Sequence, residues 1–316
     1  MVKRRLKREQ GVALLAALLA IALMTLVVVD FMTSSALGYM SAANQANDIK
    51  ATYLARSAIG VGLGLLEQDS AAKANAQEPC DSLFDIWAMP FPPMGVDGGI
   101  VSLSIVDEAR KIPINQIIDR GGNINAQRAQ QLGNLINVLG MPPELVPAIL
   151  DWLDPDDDTL PGGAESDYYM HLIPPYATRN GPMPTIGDLR LVRGVNDMIF
   201  AKLSQYLTVA PETRVNINTA APEVIASIDP GLMENPKIVG EILAMRSQHP
   251  FNNVTDIGNL PGLGNEQNTL MQNLTTRSTY FTISGMGTFA GARRAVYGTF
   301  RRNPNGTAIL GGWKEE

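Results

Sequence analysis

The stretch that decides the fold stands at the N-terminus, where a basic segment runs directly into a long apolar one. It reads Lys3-Arg4-Arg5-Leu6-Lys7-Arg8-Glu9-Gln10-Gly11, followed by Val12-Ala13-Leu14-Leu15-Ala16-Ala17-Leu18-Leu19-Ala20-Ile21-Ala22-Leu23-Met24-Thr25-Leu26-Val27-Val28-Val29. The apolar part holds no charge, proline or glycine. At about 1.5 Å per residue, such a helix matches the hydrocarbon core of a bilayer. The sequence therefore predicts a transmembrane helix over residues 12–32.

The charges beside the apolar run predict its orientation. Five Lys and Arg and one Glu precede it, and Asp30 follows it. Because Lys and Arg are enriched on the cytoplasmic side, we expect a cytoplasmic N-terminus and an extracytoplasmic remainder. A cleaved secretory signal peptide is the alternative, but its apolar region usually has only about 7–15 residues.

Composition and charge limit what the exported part can do. The chain has 316 residues, 45% hydrophobic and 18% charged, with a net charge of −6. Without residues 1–11 it keeps 20 basic and 30 acidic residues. An acidic protein is a poor partner for phosphates, so we expect no nucleic acid. Cys80 alone cannot form an intrachain disulfide, which makes a metal ion the natural candidate for any cross-link.

The helix is expected to continue beyond the membrane to about Gln68. Leu54, Ala58, Val61 and Leu65 follow the 4-3-4 spacing of an amphipathic helix. The glycines at positions 60, 62 and 64 each cost a helix about 1 kcal/mol relative to alanine. We therefore expect a sheet to pack closely against this part of the helix.

The remaining chain alternates between strand and helix patterns. Residues 69–98 indicate an ordered connection, and residues 100–106 and 111–115 are predicted to be extended. Two runs at 281–289 and 293–302 indicate a β-hairpin. Short helices are predicted between them, at 126–139, 143–153, 186–193, 197–207, 222–228, 236–247, 254–260 and 265–274.

These patterns predict an α+β fold. A long N-terminal helix packs on a small antiparallel sheet, and an all-α domain interrupts the sheet in sequence. The predicted parts are the long helix over 12–68, loop and first strands over 69–114, the inserted helical domain over 115–276, and the last strands over 277–316.

The most specific chemical signal lies at 154–165. Counting Asp154 as position 1, the carboxylates of Asp154, Asp156, Asp158 and Glu165 occupy positions 1, 3, 5 and 12, the spacing of an EF-hand Ca²⁺ loop, and the carbonyl of Leu160 occupies position 7. Position 6 is Thr159 instead of glycine and Pro161 follows at position 8. We therefore expect a Ca²⁺ loop that is not an EF-hand in conformation.

Three further carboxylates stand near this loop in sequence. Asp167 is a candidate ligand of the same site, and Asp151 and Asp157 could complete it or form a second one. Seven carboxylates between Asp151 and Asp167, with no Lys or Arg among them, repel one another unless a cation neutralises them. A solvated acidic loop is the alternative.

No catalytic constellation stands out, and we expect no enzyme. The two histidines, His171 and His249, have no metal-ligand spacing. Asp107-Glu108 beside Arg110-Lys111 could be acid/base residues, but a surface ion-pair cluster at a strand end is the commoner explanation and is the interpretation adopted. The segment 260–264 has the form of a helix-hairpin-helix turn but lacks flanking Lys or Arg, so it is interpreted as a packing turn rather than a phosphate site.

Several segments together resemble the minor pseudopilin K family of type II secretion systems. Gly11 before the apolar run is similar to a prepilin leader of residues 1–11. The other segments are Ile105-Val106-Asp107-Glu108, Ile112-Pro113-Ile114-Asn115, Ile149-Leu150-Asp151-Trp152-Leu153-Asp154, Gly162-Gly163-Ala164-Glu165-Ser166-Asp167-Tyr168-Tyr169, Val215-Asn216-Ile217-Asn218-Thr219-Ala220 and Arg277-Ser278-Thr279-Tyr280-Phe281.

The resemblance implies a pilin fold with a helical, calcium-binding insertion. It implies cleavage between Gly11 and Val12 by prepilin peptidase, methylation of the new N-terminus, and an inner-membrane protein with a periplasmic globular part. It further implies a place at the pseudopilus tip with minor pseudopilins I and J, contact with pseudopilins H and G and the inner-membrane assembly platform, and a role in initiating assembly. Most pilins carry Glu at the fifth mature position, where this chain and the family do not; here it is Ala16.

Two other classes remain open from the sequence. A minor pilin of a type IV pilus or DNA-uptake machine would differ in its partners and would favour a basic surface. A membrane-anchored periplasmic enzyme would need a cleft with converging titratable groups.

Overall fold

A computed structural model describes residues 2–74, 79–260, 263–264, 266–303 and 306–315, with side chains from residue 11 onward except at residue 259. The predicted connection at 69–98, the packing turn at 260–264 and the C-terminal strands each include residues outside this set. The α-helices are α1 (Val2–Lys73), α2 (Ala126–Val138), α3 (Leu145–Leu153), α4 (Ser166–Met170), α5 (Asp197–Leu203), α6 (Pro222–Ala226), α7 (Pro230–Glu234), α8 (Pro236–Gln248) and α9 (Glu266–Asn273).

The β-strands and short 3₁₀ helices complete the fold. The strands are β1 (Met94–Val96), β2 (Gly99–Asp107), β3 (Ile112–Pro113), β4 (Leu207–Thr208), β5 (Val215–Asn216), β6 (Leu274–Thr275), β7 (Tyr280–Phe289), β8 (Ala292–Arg302) and β9 (Ala308–Glu315). The 3₁₀ helices are Ile86–Ala88, Glu108–Arg110, Ile114–Gln116, Ile186–Leu191 and Val254–Asn259. The predicted helices at 186–193 and 254–260 are thus 3₁₀ rather than α.

The long helix α1 confirms the main prediction and extends it by one turn, to Lys73. Asp69 and Ser70, which lie beyond the predicted end at about Gln68, support the additional turn. The Ser70 hydroxyl donates to the Leu66 carbonyl at 2.8 Å, and Lys73 pairs with Asp69 one turn away. From Gly11 the helix is long and apolar enough to span a membrane, and residues 11–42 are exposed along its whole surface.

Five antiparallel strands form a sheet in the order β1-β2-β7-β8-β9. Neighbours β2 and β7 pair from Ile100–Thr288 to Asp107–Phe281 although the helical domain separates them in sequence. The predicted hairpin is β7 and β8. Its turn places Ala290 and Gly291 at positive φ, and β9 adds an edge strand that the sequence did not predict.

Close packing of α1 on the sheet depends on glycines from both sides. A Cβ at Gly62 would lie 2.6 Å from Ile283 Cγ2, and Cβ atoms at Gly285 and Gly287 would lie 2.2 and 2.0 Å from the carbonyl oxygens of Ala55 and Ala51. The predicted approach of a sheet therefore applies to Gly62. A Cβ at Gly60 or Gly64 would meet open space.

Two apolar cores divide the buried side chains. One lies between α1 and the sheet and includes Leu66, Trp87, Leu103, Phe281 and Ile283; we call this part the sheet module. The other runs from Ile112 to Leu274 and fills the inserted domain. Short parallel pairs, β3 with β4 and β5 with β6, lie among the helices of the inserted domain.

The pairing of β3 with β4 explains why one helix ends earlier than predicted. The helix predicted at 197–207 stops at Leu203 because Leu207 and Thr208 pair in parallel with Ile112 and Pro113. The Ile112 amide donates to the Tyr206 carbonyl at 2.8 Å. Two-residue strands carry too little alternation for the sequence to reveal them.

Candidate metal centre

Helix α3 and the loop that follows it bring three carboxylates together. Asp151 lies in the last turn of α3, Asp154 is its C-terminal cap, and Glu165 is the residue before α4. One oxygen from each lies within 4.8 Å of the other two, and all three residues are buried. The structure thus joins Asp154 and Glu165, from the predicted primary set, to Asp151, which the sequence could assign either to this site or to a second one.

The loop geometry requires small residues at two positions. Gly162 has φ of +87°, which favours glycine. A Cβ at Gly163 would lie only 2.0 Å from Asp151 Oδ2. The Leu160 amide donates to both carboxylate oxygens of Asp151 at 3.3 Å, and Arg193 donates to the Gly163 carbonyl at 2.8 Å. The loop is therefore folded tightly over the end of α3.

An aromatic layer supports the loop from the inserted core. Trp152 and Tyr169 meet edge-on at 5.2 Å between ring centroids, and Tyr176 lies 5.2 Å from Tyr169. Arg193 stacks over Tyr168 at 4.9 Å. These contacts fix the backbone on both sides of the carboxylates, so the cluster is held by packing.

Several oxygens of the cluster have no hydrogen-bond partner among the described residues. They are Asp154 Oδ1 and both carboxylate oxygens of Glu165, all buried. The hydroxyl of the nearby Thr178 is engaged with Ser166 Oγ at 2.6 Å. No described Lys or Arg forms an ion pair with Asp151, Asp154 or Glu165. Buried carboxylates without donors or cations are costly, and a bound cation would satisfy them.

The electrostatics of the cluster point the same way. Burial, reinforced by repulsion from Asp151 and Asp154, raises the pKa of Glu165 to about 7. Burial and repulsion from Asp156, Asp151 and Asp158 raise the pKa of Asp154 to about 6. Burial also raises the pKa of Asp151. Carboxylate oxygens in this number and density suit a hard cation such as Ca²⁺.

The other predicted ligands lie around this cluster rather than in it. Asp156 and Asp158 are exposed, and Asp156 Oδ1 accepts from the Asp158 amide at 2.9 Å. Asp157 accepts from Asn180 Nδ2 at 3.0 Å. The Leu160 carbonyl accepts from the Gly163 amide at 2.8 Å. Asp167 points to solvent, its side chain 98% exposed, with His171 as its neighbour at 3.8 Å.

A second carboxylate triplet lies in the sheet module, at the end of α1. One carboxylate oxygen of Asp69, of Asp81 and of Asp85 lies within 4.8 Å of the other two. Lys73 contacts all three, at 2.9 Å from Asp69 and 3.3 Å from Asp81. Arg302 pairs with Asp69 at 3.3 Å and with Asp81. Burial lowers the pKa of Lys73, but the three carboxylates together raise it above its usual value. The chain itself therefore supplies two cations to this triplet.

The interpretation of Asp107 and Glu108 as a surface ion-pair cluster was wrong about their exposure and about Asp107, whereas Glu108 does pair with Lys111 at 3.3 Å. Asp107 is only 1% exposed and Glu108 6%. Asp107 lies on the inward phase of β2 together with Val101, Leu103 and Ile105, a period of two that the sequence contained. Its contacts are hydroxyl, amide and backbone donors rather than cations.

The chain matches two family models, both described as "Type II secretion system (T2SS), protein K", over residues 110–212 and 215–277. It is 31% identical to type II secretion system protein K of Klebsiella pneumoniae, with 68% of each chain covered. The chain belongs to the type II secretion system protein K family. The corresponding protein of Pseudomonas aeruginosa is 28% identical over 94% of this chain and 90% of its own length.

A solved structure shows the same fold. It is described as the GspK-GspI-GspJ complex from the type 2 secretion system of enterotoxigenic Escherichia coli. The matching chain has a TM-score of 0.69 at 18% identity and covers 90% of this chain and 99% of that one. The pilin-like fold with a large helical insertion is thereby confirmed. The single candidate membrane helix among the described residues fits a single-pass inner-membrane protein of this family.

Proposed function

We propose that this protein K chain is a structural minor pseudopilin, not an enzyme, that sits at the tip of the type II secretion pseudopilus and initiates its assembly. The observation that carries the proposal is the continuity of α1. One helix begins as an exposed apolar segment and ends as the buried backbone of the sheet module. Such a helix can leave a bilayer only if other apolar helices replace the lipid.

The size of the inserted domain supports the proposed position at the tip. The inserted domain adds a second core beyond the sheet module, and a tightly packed filament has little room to repeat it with each subunit. The place with nothing stacked above is the end. From there the chain would support export of folded proteins across the outer membrane.

The family supports a proposal about partners. Because the structural neighbour is a complex of K with I and J, we propose minor pseudopilins I and J as direct partners. Pseudopilins H and G and the inner-membrane assembly platform would join them. Ala16, which carries no charge, suits a first-laid subunit, because no earlier neighbour offers an α-amino group for a Glu to pair with.

Processing by prepilin peptidase would prepare α1 for assembly. The proposed cleavage lies between Gly11 and Val12 and is followed by methylation of Val12. It leaves the sheet module and the inserted domain attached to an intact apolar helix. Mass spectrometry of the mature N-terminus in the native host tests this directly. We expect a chain that starts at Val12; a chain that starts near Ser41 would show an ordinary signal peptide and overturn the proposal.

We further propose that Ca²⁺ binds Asp151, Asp154 and Glu165. The ion would stabilise the loop on the end of α3, where a secreted protein with more cysteines could use a disulfide. The unpartnered oxygens of Asp154 and Glu165 support this assignment. Asp156 and Asp158, whose charges reach Asp154, would strengthen attraction of the cation from outside.

A further inference from the structure

The sheet module and the inserted domain meet at a buried carboxylate. Asp107 ends β2 and forms no ion pair with any described residue. It accepts hydrogen bonds from Thr219 Oγ1 at 2.6 Å, Ser278 Oγ at 2.7 Å, the Ala109 amide at 2.8 Å and Asn216 Nδ2 at 3.3 Å. One side chain therefore gathers donors from widely separated parts of the sequence.

These donors belong to both sides of the junction. Ser278 lies just before β7, where the chain returns to the sheet. Asn216 and Thr219 come from the middle of the inserted domain. Asn216 Nδ2 also donates to Ser278 Oγ at 2.8 Å and to the Asp81 carbonyl at 3.1 Å. Asp107 and Asn216 therefore connect the middle of the insertion to the two points where the chain leaves and re-enters the sheet.

A second carboxylate repeats this arrangement nearby. Glu212, also buried, accepts the amides of Thr279 and Tyr280 at 2.7 Å each. Residues 212–219 of the insertion are therefore bound to the start of β7 at several points. We call Asp107, Glu212, Asn216, Thr219 and Ser278 the junction network.

Apolar packing alone does not define this junction. The buried apolar side chains fall into two separate clusters, one in each part. Hydrophobic contact is non-directional, whereas buried hydrogen bonds have defined geometry. Burial raises the pKa of Asp107 to about 6 despite the hydrogen bonds from Thr219 and Ser278, so burial disfavours the ionised form of this carboxylate.

We propose that Asp107 is a positioning residue that fixes the orientation of the inserted domain on the sheet module. Each part keeps its own core when the network is broken, but the angle between them is no longer defined. The inference goes beyond the proposed function and does not depend on it.

The test measures the distance between the two parts in the full chain in detergent micelles. Spin labels are attached to cysteines introduced by Ser57→Cys on α1 and Lys237→Cys on α8. Both positions are exposed, and Cys80→Ser removes the native thiol. Pulsed electron paramagnetic resonance then gives the distance distribution. Asp107→Asn conserves the side-chain volume but places an amide N–H group against donors that need an acceptor. We expect this variant to widen the distance distribution at least about twofold, while the circular dichroism spectrum stays unchanged.

Two further variants make the result decisive. Ser227→Ala removes a buried hydroxyl that bonds only within the insertion, to the Val224 carbonyl, and should leave the distribution as in the parent chain. Thr219→Val removes one donor to Asp107 and should widen it even if Asp107→Asn does not fold. Unchanged width in Thr219→Val, or equal widening in Ser227→Ala, would overturn the inference.

Discussion

Each of the two carboxylate triplets of this molecule consists of three acidic side chains, but only one of them is surrounded by basic side chains. Asp69, Asp81 and Asp85 share Lys73 and Arg302, so the chain supplies their counterions. Asp151, Asp154 and Glu165 have no such cation among the described residues and leave buried oxygens unpartnered. A cluster of buried carboxylates is therefore a credible metal site only where the chain supplies no cations to it.

The largest expected effect comes from removing an internal cation. Arg302→Met leaves three buried carboxylates with Lys73 alone, and breaking a buried ion pair typically costs about 3–5 kcal/mol. Urea unfolding of the full chain in detergent, followed by tryptophan fluorescence, measures this loss, since Trp87 lies against Phe281 in the same module. Arg301→Met, on the exposed neighbour, is the matched control and should change little. An Arg302→Met protein as stable as wild type would contradict the role of Arg302 as an internal counterion of this triplet.

The next effect concerns the other triplet. A ligand present at about 100 times its dissociation constant stabilises the folded state by about 2.7 kcal/mol. Wild type should lose about that much stability when EGTA replaces such a Ca²⁺ concentration, and Glu165→Gln should lose none. In EGTA the variant should equal or exceed wild type, because it removes a repelling buried carboxylate. A Glu165→Gln protein that still responds to EGTA would place the ion elsewhere.

Dependence on pH gives a smaller and more specific effect. The pKa values of Glu165 and Asp154 are raised to about 7 and about 6 in the folded protein, above the value of about 4 in the unfolded chain. Proton binding to these two carboxyl groups therefore stabilises the metal-free fold, and this stabilisation is fully present below about pH 4. This contribution is lost as the pH rises through those values. Protons and Ca²⁺ compete, so the stability difference between Ca²⁺ and EGTA should grow from pH 5.5 to about 7.5 and then level off. Thermal midpoints of wild type and Glu165→Gln across this range measure it; a flat difference would refute the competition.

The smallest effect is expected at Asp167. Its exposed carboxylate lies outside the triplet, so Asp167→Asn should change stability by less than about 0.5 kcal/mol and leave the response to EGTA intact. Chemical unfolding in Ca²⁺ and in EGTA checks both points. A large loss confined to Ca²⁺ would restore Asp167 to the ligand set that the sequence predicted.

Long, strongly patterned elements could be predicted from the sequence, and short or tertiary ones could not. The apolar run fixed α1, and clear alternation fixed the β7–β8 hairpin. Strand β9 was missed because Gly311 and Gly312 interrupt its alternation. The internal cations of the first triplet could not be foreseen, since Arg302 lies more than two hundred residues from Asp69 and Asp81.

The carboxylate cluster lies in the segment where the sequence predicted ligands, but its members differ from the predicted set, and Ca²⁺ binding there stays a prediction. The predicted ligands follow EF-hand spacing from Asp154, although Thr159 and Pro161 already predict a loop of another conformation. The real loop folds back on α3, so Asp151 enters while Asp156 and Asp158 stay outside. The available signal was the spacing of three between Asp151 and Asp154, which puts both carboxylates on one side of the helix end.

Calorimetric titration of Ca²⁺ into the EGTA-treated, dialysed full chain shows which of the two triplets binds the ion. The comparison needs wild type, Glu165→Gln from the triplet without cations, and Asp85→Asn from the triplet with cations. We predict saturable binding in wild type, a loss of at least about 100-fold in affinity in Glu165→Gln, since even outer-shell changes cost about 10–100-fold, and unchanged binding in Asp85→Asn. Equal binding by wild type and Glu165→Gln, or loss in Asp85→Asn alone, would contradict the account.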